Sequence, residues 1–193
     1  TPSTGRLTGT IDGNTIGESG VQRSGAGCNS CSGVTVTAAG HGVVSADITT
    51  NVIQQTGGSA IVATAGPGGP RLRLSLRSNL LRQPAGTSAP AIRVGSAVTA
   101  TDTSDVCLTI GGTGAHANTI EGSWGEHGAI QLLHRFGAAR FLIDSLSGGN
   151  DEAAVAAFVA QVNRGAAVRA FLRPDSRERG FEPSAGCPVT ASP

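Results

Sequence analysis

The feature that most constrains this chain is an asparagine that returns at the same place in a repeated phrase. The phrase runs apolar, two small or polar residues, Asn, one residue, apolar, a glycine turn, then a short apolar strand. It is clearest in Asp47-Ile-Thr-Thr-Asn51-Val-Ile-Gln-Gln-Thr-Gly-Gly-Ser-Ala-Ile-Val-Ala63. It recurs as Ile11-Asp-Gly-Asn14-Thr-Ile16, as Leu76-Arg-Ser-Asn79-Leu-Leu81 leading to Ala91-Ile-Arg-Val94, and as Ala115-His-Ala-Asn118-Thr-Ile120 leading to Ala129-Ile-Gln-Leu132. Self-similarity every few tens of residues, one strand-turn-strand unit per repeat, marks a stacked-repeat architecture. Such a unit cannot bury its apolar side alone, so neighbours must stack. The expected fold is all-β, a parallel β-helix (solenoid) of about four to six rungs. Asn14, Asn51, Asn79 and Asn118 then stack at one corner as an internal ladder, and their amides serve turn backbone groups that burial would otherwise orphan.

Composition suits thin layers. Aromatics are 3% of the chain, with no Tyr, no Met and one Trp, so a core must come from Val, Ile, Leu and Ala. Glycine is 29 of 193 residues but shows no Gly-X-Y period, which excludes collagen. The glycines sit between strands, where turns need positive φ. A net charge of +1 gives no general pull on nucleic acid or an anionic membrane. No apolar run is long enough to insert in a membrane. Every basic side chain apart from histidine is Arg. The chain starts mid-pattern at Thr1 without Met, as a processed product or a cut piece would. The upstream edge of its first repeat is expected to meet a preceding solenoid segment or another copy of the chain, since a bare edge exposes unpaired backbone.

In chain order, residues 1–146 form the β-helix, 147–168 a capping helix and 169–193 a C-terminal tail. Cys28-Asn-Ser-Cys31 lies among Gly and Ser with no helix after it. A local disulfide suits that setting; a redox pair or half a zinc site are the alternatives. Arg71-Leu-Arg-Leu-Ser-Leu-Arg77 alternates strictly, placing Leu72, Leu74 and Leu76 on one face and Arg71, Arg73, Ser75 and Arg77 on the other. That arginine row is either a solvated outer face or a groove for an anionic polymer. At Ser147-Gly-Gly-Asn-Asp-Glu152 the grammar changes. Asn150 is the expected N-cap, Val155, Phe158, Val159 and Val162 the apolar stripe, and Gly165 the stop. An amphipathic helix after the last rung hides an open solenoid end.

The ordered set Val106-Cys-Leu-Thr-Ile-Gly-Gly112, Ala117-Asn-Thr-Ile120, Ala129-Ile-Gln-Leu-Leu-His-Arg-Phe136, Asn150-Asp-Glu-Ala-Ala-Val155, Gly180-Phe181 and Gly186-Cys-Pro188 resembles a known C-terminal end. It is similar to the end of large proteobacterial "β-strand repeat" surface proteins, whose passengers are right-handed parallel β-helices. The resemblance covers nearly the whole chain and is best over 47–188. It implies export, a right-handed solenoid and an extracellular or cell-surface location, and it transfers no catalytic residue. Cys28-Asn-Ser-Cys31 departs from the pattern. An even cysteine count also favours an oxidising compartment. The tail lacks apolar residues to dock itself, so Cys107 and Cys187 are expected to pair and hold it, leaving Cys28 with Cys31.

β-Helices also host polysaccharide lyases and hydrolases, so fold alone decides nothing. The acids that such chemistry would use are Asp102, Asp105, Glu121 and Glu126, with Arg93 or Arg135 beside them; their unequal offsets from the repeat Asn keep them from converging. Trp124, Glu126 and His127 form the most site-like cluster, a candidate carbohydrate contact because Trp stacks on sugars. His41, His116 and His134 are scattered, so no metal site and no cofactor are expected. Thr35, Thr37, Thr99 and Thr101 do not make the regular array an ice-binding face needs. The resulting expectation is an exported bacterial surface or extracellular structural or adhesive module, self-assembling end to end. The alternative is a carbohydrate-binding or polysaccharide-cleaving β-helix protein.

Overall fold

The computed structural model describes residues 5–82, 88–125, 128–136, 138–164, 167–172 and 180–187. The first strands are β1 (Arg6–Asp12), β2 (Thr15–Ile16), β3 (Val34–Ala38), β4 (Val43–Thr49), β5 (Val52–Gln54) and β6 (Ile61–Ala65). Then come β7 (Arg71–Arg77), β8 (Leu80–Arg82), β9 (Ile92–Ser96), β10 (Asp105–Ile110), β11 (Thr119–Glu121), β12 (Ile130–His134) and β13 (Arg140–Asp144). Helix α1 (Glu152–Gln161) precedes β14 (Val168–Leu172) and β15 (Glu182–Ser184). They build three sheets: β1-β4-β7-β10-β13-β15, β2-β5-β8-β11 and β3-β6-β9-β12-β14. Every pairing is parallel. Among the described residues the protein is thus mostly β, with three parallel sheets and one α-helix. The chain visits the sheets in turn: each of the first four passes adds one strand to each, the fifth adds β13 and β14 with α1 between them, and β15 adds a last strand to the first sheet.

Register explains how so few aromatics make a core. In the first sheet Val44, Leu72, Val106 and Phe141 face each other across strands, as do Ile48, Leu76 and Ile110. In the second, Ile16, Ile53, Leu81 and Ile120 align. In the third, Val34, Ile61, Ile92, Ile130 and Val168 align. Most of these side chains are fully buried and join one cluster. Each buried aliphatic stabilises by about 1.5–3 kcal/mol. Each strand of the first sheet except β15 is followed by a residue of positive φ: Gly13, Thr50, Ser78, Gly111 and Ser145. That left-handed step turns the chain towards the next element. Thr50 is β-branched and disfavoured there; its hydroxyl takes a hydrogen bond from the Gly13 N–H (3.1 Å) and donates one to Asp12.

The C-terminal part differs from expectation. Helix α1 is capped by Asp151, whose side chain accepts from the Ala154 N–H at 2.8 Å, so the cap is one residue beyond Asn150. Gly165 lies outside the described residues. Residues after 168 are more than a tail: Val168–Leu172 and Glu182–Ser184 extend two of the sheets. The physical reason is visible in Val168, Ala170 and Leu172, which alternate at period two and fall in register with Ile130, Leu132 and His134.

Candidate functional site

The amide ladder is the most regular polar structure in the molecule. Asn14 donates through its backbone N–H and its Nδ2 to Asn51 Oδ1 at 2.9 and 3.1 Å. Asn51 does the same to Asn79 (3.1 and 3.0 Å), and Asn79 to Asn118 (both 3.0 Å). The second Nδ2 hydrogens go to the carbonyls of Ile11, Ile48 and Leu76 from Asn51, Asn79 and Asn118. Sequence reading missed the last member. Asn118 Nδ2 donates to Asn163 Oδ1 at 2.8 Å, and Asn163 Nδ2 bonds back to the Val159 carbonyl in α1. Asn163 escaped notice because Arg164 and Gly165 follow it, without the apolar residue the phrase requires.

The ladder has a direction. Each Oδ1 accepts from the preceding asparagine, and Asn14 is the first member of the ladder among the described residues. That member sits on the pass formed by β1, β2 and β3, which is terminal in all three sheets. Among the described residues, no strand pairs with the outer edge of any of them. All of β1 except Ile11 is exposed, and Leu7 stands 65% exposed. Asp12 closes the corner: it accepts from the Thr49 hydroxyl at 2.6 Å and from Thr50. These hydroxyls hold its carboxyl below the usual range.

The opposite end is closed. The Val162 carbonyl and the Arg164 N–H tie the end of α1 to the turn after β10 and to the residue before β11 (Gly112 N–H to Val162 O, 2.9 Å; Arg164 N–H to Asn118 O, 2.8 Å). Phe181 is buried against Phe141, centroids 5.1 Å apart, and both flank the buried His134 ring. His134 lies with Nδ1 2.9 Å from the Gly180 carbonyl and Nε2 3.1 Å from that of Ala139. Arg140 binds Glu182 at 2.6 Å, and that bond raises the arginine's proton affinity. Cys107 and Cys187 form a disulfide that returns the chain from β15 to the outer face of β10.

The other sequence candidates do not converge. Trp124 is 7% exposed and its indole N–H donates to the Glu121 carbonyl at 3.0 Å, so it is a covered ring and not a stacking platform. Glu126 and His127 lie outside the described residues. Asp102 is buried in the 97–104 loop. Burial pushes its carboxyl up, but the N–H groups of Thr99 and Val98, the Thr99 hydroxyl and the Gly68 backbone outweigh that and leave it below the usual range. Asp105 starts β10 between Arg71 and Arg140 in the first sheet, whereas Glu121 ends β11 in the second and pairs with Arg82 at 2.9 Å. Arg93 is exposed on β9 in the third sheet, and Arg135 follows β12. His41 precedes β4 and His116 ends a short 3-10 turn. Thr99 and Thr101 belong to the Asp102 loop, apart from Thr35 and Thr37 on β3. Cys28 and Cys31 form a disulfide in the exposed loop between β2 and β3. The Cys28 carbonyl packs so closely on Gly57 that a Cβ there has no room.

The arginine row is not a plain solvated face. Arg71 is exposed, Arg73 and Arg77 are half-buried, and Ser75 is buried. Ser75 stands in register between Asp47 and Thr109, and Thr109 donates to Asp144 at 3.0 Å. Larger neighbours on strands about 4.8 Å away shade the short serine. Arg77 reaches Asp144 at 3.8 Å. The two carboxylates of this stripe, Asp47 and Asp144, are three strand spacings apart, about 14 Å. Glycosidase carboxylates act across about 5–9.5 Å.

No helix among the described residues is long and apolar enough to cross a membrane. Comparison with family models, with curated proteins and with solved structures finds no match to this chain.

Proposed function

We propose that this chain is a right-handed parallel β-helix of about four to six rungs, capped at its C-terminal end, and that it serves as an exported bacterial surface or extracellular module with a structural or adhesive role. The observation that carries this reading is the contrast between its ends. One end presents three strand edges and the start of an amide ladder; the other is sealed by α1, Phe181 and the Cys107–Cys187 disulfide. A stacked module that joins a neighbour through one face needs that asymmetry. Two disulfides support an oxidising location. The regular stacked surface supports work by stiffness and length, which needs no group tuned for proton transfer.

The carbohydrate reading has less behind it. Trp124 is buried, and Asp105 and Glu121 belong to different sheets. Labelling of intact cells of the source organism with an antibody to this chain tests the proposal. Surface labelling is expected without permeabilisation. Labelling only after lysis would overturn it, and so would turnover of an acidic polysaccharide that is lost on Asp105→Asn.

A further inference from the structure

Cys28 and Cys31 form a disulfide in the 17–33 stretch between β2 and β3. We propose that this bond is a thiol–disulfide exchange site: a small thiol opens it, and the loop closes it again while the stacked strands stay in place. The chemistry is the same wherever the chain resides, so it stands apart from the surface reading.

Access comes first. Cys28, Asn29, Ser30 and Cys31 are all exposed. Cys107 and Cys187, the other pair, are 5% and 6% exposed. Exchange proceeds by attack of a thiolate on a disulfide sulfur, so it follows access. Charge does not oppose that approach: residues 19–33 contain no Asp or Glu, and Arg23 is their one ionic side chain.

The loop holds its shape without the sulfur bond. The Cys31 N–H donates to the Cys28 carbonyl at 3.2 Å, which closes the turn by itself. The Gly58 N–H donates to the Cys31 carbonyl at 2.8 Å. On either side, the Gly25 N–H donates to the Gln55 carbonyl (3.2 Å) and the Gly33 N–H to the Ser59 carbonyl (3.1 Å), while Ala26 bridges Thr56. The pair is thus fixed to the turn between β5 and β6. Gly57 and Gly58 make its seat. A Cβ on Gly57 would collide with the Cys28 carbonyl, and one on Gly58 would lie 2.7 Å from the Ser30 carbonyl oxygen. Neither glycine has positive φ, so it is the seated loop that excludes a side chain there.

Two thiols held side by side have a high effective concentration for each other. An external thiolate attacks one sulfur; a mixed disulfide forms, and the other cysteine leaves as a thiolate. That thiolate attacks back and expels the small thiol, or a second small thiol attacks the mixed disulfide. In the second case two small thiols are oxidised to one disulfide, the protein disulfide is reduced to two thiols, and the two thiol protons pass to Cys28 and Cys31. A small disulfide runs the same steps in reverse.

The test is the intact chain in mixtures of reduced and oxidised glutathione, trapped with iodoacetamide and read by peptide mass. Cys28 and Cys31 should be alkylated together, about tenfold faster or more than Cys107 and Cys187, with an unchanged far-UV spectrum. Oxidised glutathione should then reclose the pair. Mixed disulfide should accumulate in Cys28→Ser or Cys31→Ser, where no neighbour resolves it, and not in the parent. Gly57→Ala keeps both sulfurs but unseats the loop, and should slow reclosure about tenfold. The double variant Asn29→Gly with Ser30→Gly, at exposed positions, loosens the turn and should slow it in the same direction. Opening of both disulfides at one rate, loss of the β spectrum on opening, mixed disulfide accumulating in the parent, or parental reclosure in both loop variants would overturn the proposal. Each of these is compatible with surface labelling, so the two readings fail separately.

Discussion

The two ends of this molecule start from the same strands and finish differently. At the first pass, β1, β2 and β3 are bonded on one side only among the described residues, and apart from Val34 and Ala38 of β3 their side chains are exposed or half-buried. At the last, β13 is covered by β15, β12 by β14, and the place that a further strand of the second sheet would take is held by the end of α1. The difference teaches that parallel strands do not terminate themselves. Finishing them requires elements of other kinds, here a helix, a proline-bearing strand and a covalent tie between distant residues; among the described residues the first pass has only the local Cys28–Cys31 disulfide.

The largest expected effect is on the covalent tie. Replacing Cys107 and Cys187 by Ser removes a crosslink spanning 80 residues, which contributes about 4–5 kcal/mol in the chain-entropy model. Denaturant titration should show that loss. If the double variant is as stable as the parent, the C-terminal seal is held by packing alone. Next comes the ladder. Asn79→Ala strips the acceptor used by Asn51 and the donors to Asn118 and Ile48, and should cost about 2–4 kcal/mol through buried unsatisfied groups. Asn14→Ala, at the exposed start, should cost less than about 1 kcal/mol by the same titration. Equal costs would erase the contrast between interior and edge.

The smaller tie, Cys28–Cys31, closes a loop with a separation of only 3 residues. Its removal should cost about 1.5 kcal/mol in the same model. The smallest effect is a pH dependence. Asp102 is buried and its carboxyl is held low by hydrogen bonds, so its contribution is present above the ordinary carboxylate range and is lost as pH falls through its depressed value. Asp102→Asn should flatten stability measured below about pH 4. Asp12 is shifted the same way but is wholly exposed, so Asp12→Asn should leave that acid limb close to unchanged.

Much of the architecture was legible because one residue, Asn, has one job at one corner. Asn14, Asn51, Asn79 and Asn118 stand before β2, β5, β8 and β11, and the alternation of Leu72, Leu74 and Leu76 marks an inward face. What escaped was decided by packing across the chain. Asn163 joins the ladder from the end of a helix, with none of the repeat phrase around it. Strands β14 and β15 lie in Arg- and Pro-rich sequence and take their register from β12 and β13. Trp124 looked like a sugar platform because sequence cannot tell an exposed indole from one that donates to Glu121 three residues back. The half-burial of Arg73 and Arg77 depends on columns supplied by β4, β10 and β13.

Hydrogen exchange on the chain, diluted until it is a single species, tests the one-ended account most directly. Protection should rise from β1, β2 and β3 to a maximum in β7 and β10 and stay high through β13, because those strands are bonded on both sides and sealed beyond. Amides of Thr8 and Thr10, turned to the open edge, should exchange within the first time points. Protection in β1–β3 equal to that of β10, or exchange of β13 and α1 before β1, would contradict it.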